Sequence, residues 1–237
     1  MSTHVGQEVP GVVEPEQRVD ELVTNAEVAW AGYVGPVTLE FLLPRSLVNL
    51  PVQHWMLERD LSGVGRPLAL DYPISVRSLE RMYARQWHRR WRSRWSAMQA
   101  DPSPDRIYFV EQADLEEPHR LDAIMSDEQW VAAVLTGPPA RAVGSRQGPD
   151  ELMPTLRAGI PAVFWHPDAS RDTMRDLVGS LVEHEGLVDL PTRTRAMRLK
   201  AYQVDAAFND LTRDLVLLWD DPARIVTRDS PEALVSV

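Results

Sequence analysis

The acidic pair in WDDP, residues 219–222, is the first place in this sequence where side-chain type and position could support chemistry. It ends the apolar run LVLLW, and carboxylates at the end of a buried strand stand where open α/β sheets place ligand sites. The same edge argument applies to His166 and Asp168, which close the run IPAVFWH and its sequel. Were these four residues to converge on one pocket, they could serve an enzyme of unrecognised type, hydrolytic or nucleotide-processing. A plainer role stands beside this one. Asp220 or Asp221 can cap the next turn, with Pro222 at its first position.

Other chemistries lack their residues. The chain has no cysteine, which excludes disulfides, thiolate catalysis and Cys-based zinc sites. The histidines at 4, 54, 88, 119, 166 and 184 include no pair four residues apart on one helix, and no HExxH. No metal site and no cofactor are expected. There is no G-x-S-x-G elbow, no Walker A and no G-x-G-x-x-G after a strand. The glycines of VGSRQG, 143–148, read as a surface loop.

WHRRWRSRW, residues 87–95, spaces three tryptophans four apart among arginines. Helical spacing places Leu79, Tyr83, Trp87, Trp91 and Trp95 on one ridge, with Arg81, Arg85, Arg89 and Arg92 opposite. Burying each indole is worth roughly 3 kcal/mol or more, so this face is expected in a core. Arg90 and Arg94 fall within the aromatic arc and need an acidic partner or a route to the edge. Glu40, in the apolar VTLEFLLP, is a candidate partner. The other side of the helix is read as a solvent face or a protein-docking face, since Trp and Arg dominate interface hot spots.

The elements that would position these groups alternate. Helices are expected over 15–30, 79–100, 151–158 (closed by Gly159), 170–184 (capped by Ser170) and 190–209. Apolar runs at 37–44, 107–110, 130–136, 160–166 and 215–222 read as buried strands. LALDYPISVRS, 68–78, reads as one or two extended pieces, and RSLVNLPVQHW as a short helical turn with a loop. Strands alternating with helices predict an α/β fold: a mostly parallel sheet of about five or six strands with helices on both faces. One domain is expected over 15–227, between a flexible N-terminal segment, 1–14, and a flexible tail, 228–237.

The net charge of −10 disfavours nucleic acid and anionic lipid. No signal peptide and no transmembrane run is visible, so a cytoplasmic protein is expected.

FLLPRSLVNLPVQHW, 41–55, and PISVRSLERMYARQWHRRWRSRW, 73–95, resemble the C-terminal domain of vWA-MoxR-associated proteins, the VMAP-C family. AGIPAVFWHPD, 158–168, and LTRDLVLLWDDPARI, 211–225, resemble its later blocks in the same order. The resemblance implies a non-enzymatic adaptor or scaffold in a bacterial signalling or conflict system. Its partners would be a vWA-domain protein, a MoxR-type AAA+ ATPase or a protease effector. It supplies no catalytic residues. Only one helix precedes the LLPR block here, whereas longer members carry more upstream, so a stand-alone form and a fragment are both open. The docking residues expected around PRSLVNLPVQHW and the Trp helix are Arg45, Asn49, Trp55, Arg77 and Arg81.

Overall fold

The computed structural model describes residues 15–58, 63–139, 150–203 and 207–226, the last of these by backbone alone over 207–210. The two expected flexible ends and the VGSRQG loop lie outside the described residues.

The apolar runs become strands because each meets helices on both faces. β1 (Leu39–Leu43), β4 (Ile74–Ser78), β5 (Ile107–Phe109), β6 (Ala132–Val134), β7 (Ala162–Trp165) and β8 (Val216–Trp219) form one sheet in the order β1-β4-β8-β7-β6-β5. A separate two-stranded ribbon pairs β2 (Met56–Leu57) with β3 (Arg66–Pro67). Strands β1, β4 and β8 run parallel, as do β7, β6 and β5. The two triplets meet antiparallel at β7 and β8, where Ala162 faces Trp219 and Trp165 faces Val216. The fold is α/β, with a mostly parallel six-stranded sheet, as the alternation predicts.

Alternate strand residues serve opposite faces, as the pleat requires. Val163, Trp165, Val216 and Leu218 join one core, with Val23 of α1 (Pro15–Ala29), Leu121 and Met125 of α5 (Arg120–Ser126), and Leu152 and Leu156 of α6 (Leu152–Ala158). Ala162, Phe164, Leu217 and Trp219 join the other, with Met98 of α4 (His88–Ala100) and Leu177, Val178 and Leu181 of α7 (Arg171–Val182). Ser170 caps α7, its hydroxyl accepting from the Thr173 N–H. Gly159 ends α6 at φ 85°. A Cβ there would lie 2.6 Å from the Trp91 nitrogen, so this turn requires glycine twice over.

Several expectations need correction. Residues 79–100 are not one helix: α3 (Leu79–Tyr83) stops at Ala84, a turn over Arg85–Trp87 follows, and α4 begins at His88. The break takes Tyr83 off the ridge and leaves it 51% exposed. Residues 68–71 form a helical turn, α2 (Leu68–Asp71), rather than an extended piece. Over 190–209 the described residues form α8 (Leu190–Gln203) and the first part of α9 (Ala207–Asp214), so helix runs beyond the expected end at 209. The helix α5 has no counterpart among the expected elements.

The Trp helix does hold the layers together. Trp87 packs against the first core and Trp95 against the second. Trp91, fully buried between them, donates its indole N–H to the Asp220 carbonyl at 2.8 Å. Trp95 meets Trp219 edge-on, with ring centroids 5.0 Å apart. Arg94 is buried, and among the described residues it has no ion pair. It donates to the carbonyls of Met125, Asp127 and Trp130, which satisfies the end of α5 and the turn after it. Arg90 is exposed. Glu40 therefore pairs with neither.

Candidate docking cavity and the buried ion cluster

Asp220 follows the last residue of β8, and the sheet carries it inward. Its carboxylate accepts from Arg77 Nε at 3.3 Å, from Arg81 Nη1 at 2.9 Å and from the Ser78 backbone N–H. Arg77 also donates to Glu40 at 2.9 Å and to the carbonyls of Asp221 and Arg224 at 2.7 Å. Arg81 reaches the Ile160 carbonyl at 2.8 Å. Arg224 returns to Glu40 at 2.7 Å. Burial pushes the Asp220 carboxyl upward, while Arg81 and Arg77 pull it back down. Burial likewise lowers Arg81, against the attraction of Asp220.

Arg77 and Arg81 are each 0% exposed. The placement expected for them, on a surface that meets a partner, is thus corrected. Asp220 supplies one carboxylate to both, which offsets part of the cost of burying their charge. Their role here is to fix β4, α3 and the segment after β8 together. Asp221 keeps the plainer role, its side chain accepting from the Ala223 N–H at 2.8 Å.

The four strand-end residues do not converge. Because β7 and β8 are antiparallel, His166 and Asp168 lie at the opposite edge of the sheet from Asp220 and Asp221. His166 is buried, and its Nδ1 accepts from the backbone N–H groups of Asp168 and Ala169 at 2.9 and 2.7 Å. Nε2 therefore carries the proton and donates to the Leu211 carbonyl at 3.0 Å. Both nitrogens are spent on shaping the turn after β7.

At that same edge, where β6 and β7 end and β8 begins, a cavity of about 480 Å³ opens. Asn49, Pro51 and Gln53 line it from the segment after β1. Pro138 and Pro139 line it from the end of β6, and Trp165, Pro167 and Val216 from β7 and β8. The floor carries two primary amides. Gln53 is only 3% exposed. Asn49 donates to the Pro139 carbonyl at 2.7 Å, while its Oδ1 is buried and unpaired. Arg45 holds Asp150 at 3.0 Å, and its backbone N–H reaches Glu80 at 2.7 Å. Thr136 gives both its N–H and its hydroxyl to Glu151. Burial raises the Glu151 carboxyl above its ordinary range, the Thr136 bonds opposing.

Of the expected docking residues, the structure thus brings Asn49 to the cavity and Arg45 to its flank. Trp55 is half-buried against the first core, edge-on to Phe41 with ring centroids 5.6 Å apart. Sequence reasoning missed Gln53, although an amide in PVQHW, directly after Pro51 and Val52, was a signal for a buried polar group. Among the described residues no cluster of His, Asp or Glu could hold a metal ion, and no helix is long and apolar enough to cross a membrane.

Fold and site together define an α/β domain with a sealed ion cluster at one sheet edge and an amide-floored cavity at the other. A family model for the vWA-MoxR associated protein C-terminal domain matches residues 2–222. The chain belongs to that VMAP-C family. No curated protein and no solved structure matches it.

Proposed function

We propose that this chain is a non-enzymatic adaptor that docks a protein partner of a vWA–MoxR system through the cavity beside residues 45–55. The observation that carries the reading is the buried, unpaired Asn49 Oδ1, which stands beside the Gln53 amide in a proline-walled cavity. A buried polar group left unpaired costs about 1–3 kcal/mol. An extended segment of a partner would bring backbone N–H and C=O groups to meet both amides while its side chain fills the proline-walled space. Arg45, Asn49 and Trp55 remain the proposed docking residues, with Gln53 added. The enzyme reading gains no support from His166, Asp168, Asp220 and Asp221, which are divided between two edges. A cytoplasmic setting is part of the proposal and is compatible with a chain free of cysteine.

The test is binding of a purified vWA-domain protein and a MoxR-type ATPase from the same source to wild type and to Gln53→Leu. Leucine keeps the volume and removes the amide, so the fold should keep or gain stability. Affinity should fall about tenfold or more, the equivalent of one charge-neutral hydrogen bond and its desolvation. Equal affinity for both forms, with thermal unfolding intact, would exclude this cavity as the docking site.

A further inference from the structure

A second cavity, of about 170 Å³, lies on the far side of the Trp helix, where α4 meets the turn after α5. At ~30 Å³ per molecule it holds roughly five or six waters. Arg89, Arg90, Ser93 and Arg94 of α4 line it, with Ser126 and Glu128 opposite. Three guanidinium groups thus face one carboxylate. Neither Arg89 nor Arg90 has an ion-pair partner among the described residues. Arg94 is 6% exposed and spends three of its N–H groups on carbonyls, which leaves two of the five that a guanidinium carries. The Ser93 hydroxyl has no hydrogen bond among the described residues, and Ser126 donates its own to the Asp122 carbonyl at 2.8 Å, keeping its lone pairs free. Burial lowers the Arg94 guanidinium, and Arg106 and Arg90 press in the same direction against Glu128 and Asp127.

We propose that this cavity binds a phosphate group, held between the Arg89 and Arg90 forks, the Ser93 hydroxyl and the uncommitted N–H groups of Arg94. Such planar forks match phosphate oxygens in pairs, and charge-assisted bonds of this kind are about twice as strong as neutral ones. A dianion fits the charge: it offsets the excess of guanidinium over the Glu128 carboxylate. The small volume and the net charge of −10 favour a single phosphate over a nucleic-acid backbone. The same chemistry could arrive as free phosphate or as a phosphorylated serine side chain.

Calorimetric titration of the whole chain with inorganic phosphate, and separately with O-phosphoserine, at constant ionic strength in chloride, tests the proposal. Saturable binding is expected for wild type, weakened at least about tenfold in R89A/R90A, whose side chains are exposed and whose loss should spare the fold. Ser93→Asp, which places a carboxylate in the same space, should abolish the signal as a second check. Binding of phosphate alone marks the free anion as the source. Equal or tighter binding of O-phosphoserine marks a phosphorylated side chain. Absence of saturable heat with either, or equal affinity in folded R89A/R90A, overturns the assignment.

Discussion

At the residue scale, two buried arginine environments lead to opposite expectations. Arg77 and Arg81 share Asp220 at zero exposure, so removing that carboxylate strands the Arg81 charge in the interior and leaves Arg77 with Glu40 alone. Asp220→Asn should cost about 3 kcal/mol or more, read from the midpoint of chemical denaturation. Arg198 on α8 differs. It is 2% exposed and donates to the Leu215 carbonyl at 2.6 Å, but its Nε and Nη1 are buried without partners. Burial lowers its pKa to about 10, so holding its proton at neutral pH works against folding. Arg198→Met loses one hydrogen bond, worth about 1 kcal/mol, but also the desolvated charge, and should raise the denaturation midpoint. A lower midpoint would refute this. Neither environment could be read from the sequence. Asp220 lies far along the chain from Arg77 and Arg81, and the helical wheel for 79–100 turned Arg81 outward because it assumed one unbroken helix.

At the scale of elements, apolar runs made five of the six sheet strands legible, β4 was read only within the extended stretch 68–78, and caps such as Ser170 and Gly159 marked the ends of their helices. Strand direction was not legible, because a strand covered on both faces has the same pattern in either direction. That single unreadable feature separates His166 from Asp220 and removes the convergence an enzyme reading needed. The docking surface was half legible: the segment 45–55 stood out as a block, but the partner surface from Pro138, Pro139 and Pro167 needed the fold. The bond between Thr136 and Glu151 links the end of β6 to the start of α6, and it has a pH signature. Burial raises the folded pKa of Glu151 above its ordinary 4.5. A carboxyl with a raised folded pKa favours the folded state below the unfolded value and loses that contribution as pH climbs through the folded one. Glutamine does not titrate. The stability of wild type relative to Glu151→Gln should therefore fall as pH rises above the ordinary 4.5, measured by urea denaturation at a series of pH values. A difference that stays flat with pH would show that Glu151 titrates as it does in water.

At the scale of the whole molecule, chain order and sheet order disagree in an informative way. The first strands, β1 and β4, and the middle strands, β5 to β7, are joined only when β8, the last, enters between β4 and β7. Until then the β1–β4 pair and the β5–β6–β7 triplet each lack an inner neighbour, and two strand edges carry unpaired backbone groups. The Trp helix adds to this dependence, since Trp87 and Trp95 belong to cores on opposite faces and Trp91 bonds to the residue after β8. Neither half can then complete its core alone. The domain expected over 15–227 should unfold in one transition, with calorimetric and van't Hoff enthalpies equal. A chain ending at residue 214 should lose that transition altogether, because it lacks the strand and the Asp220 carboxylate that joins β4 to the rest. Two resolved transitions in the full chain, or a cooperative melt in the shortened one, would show that the halves stand independently and that β8 only bridges them.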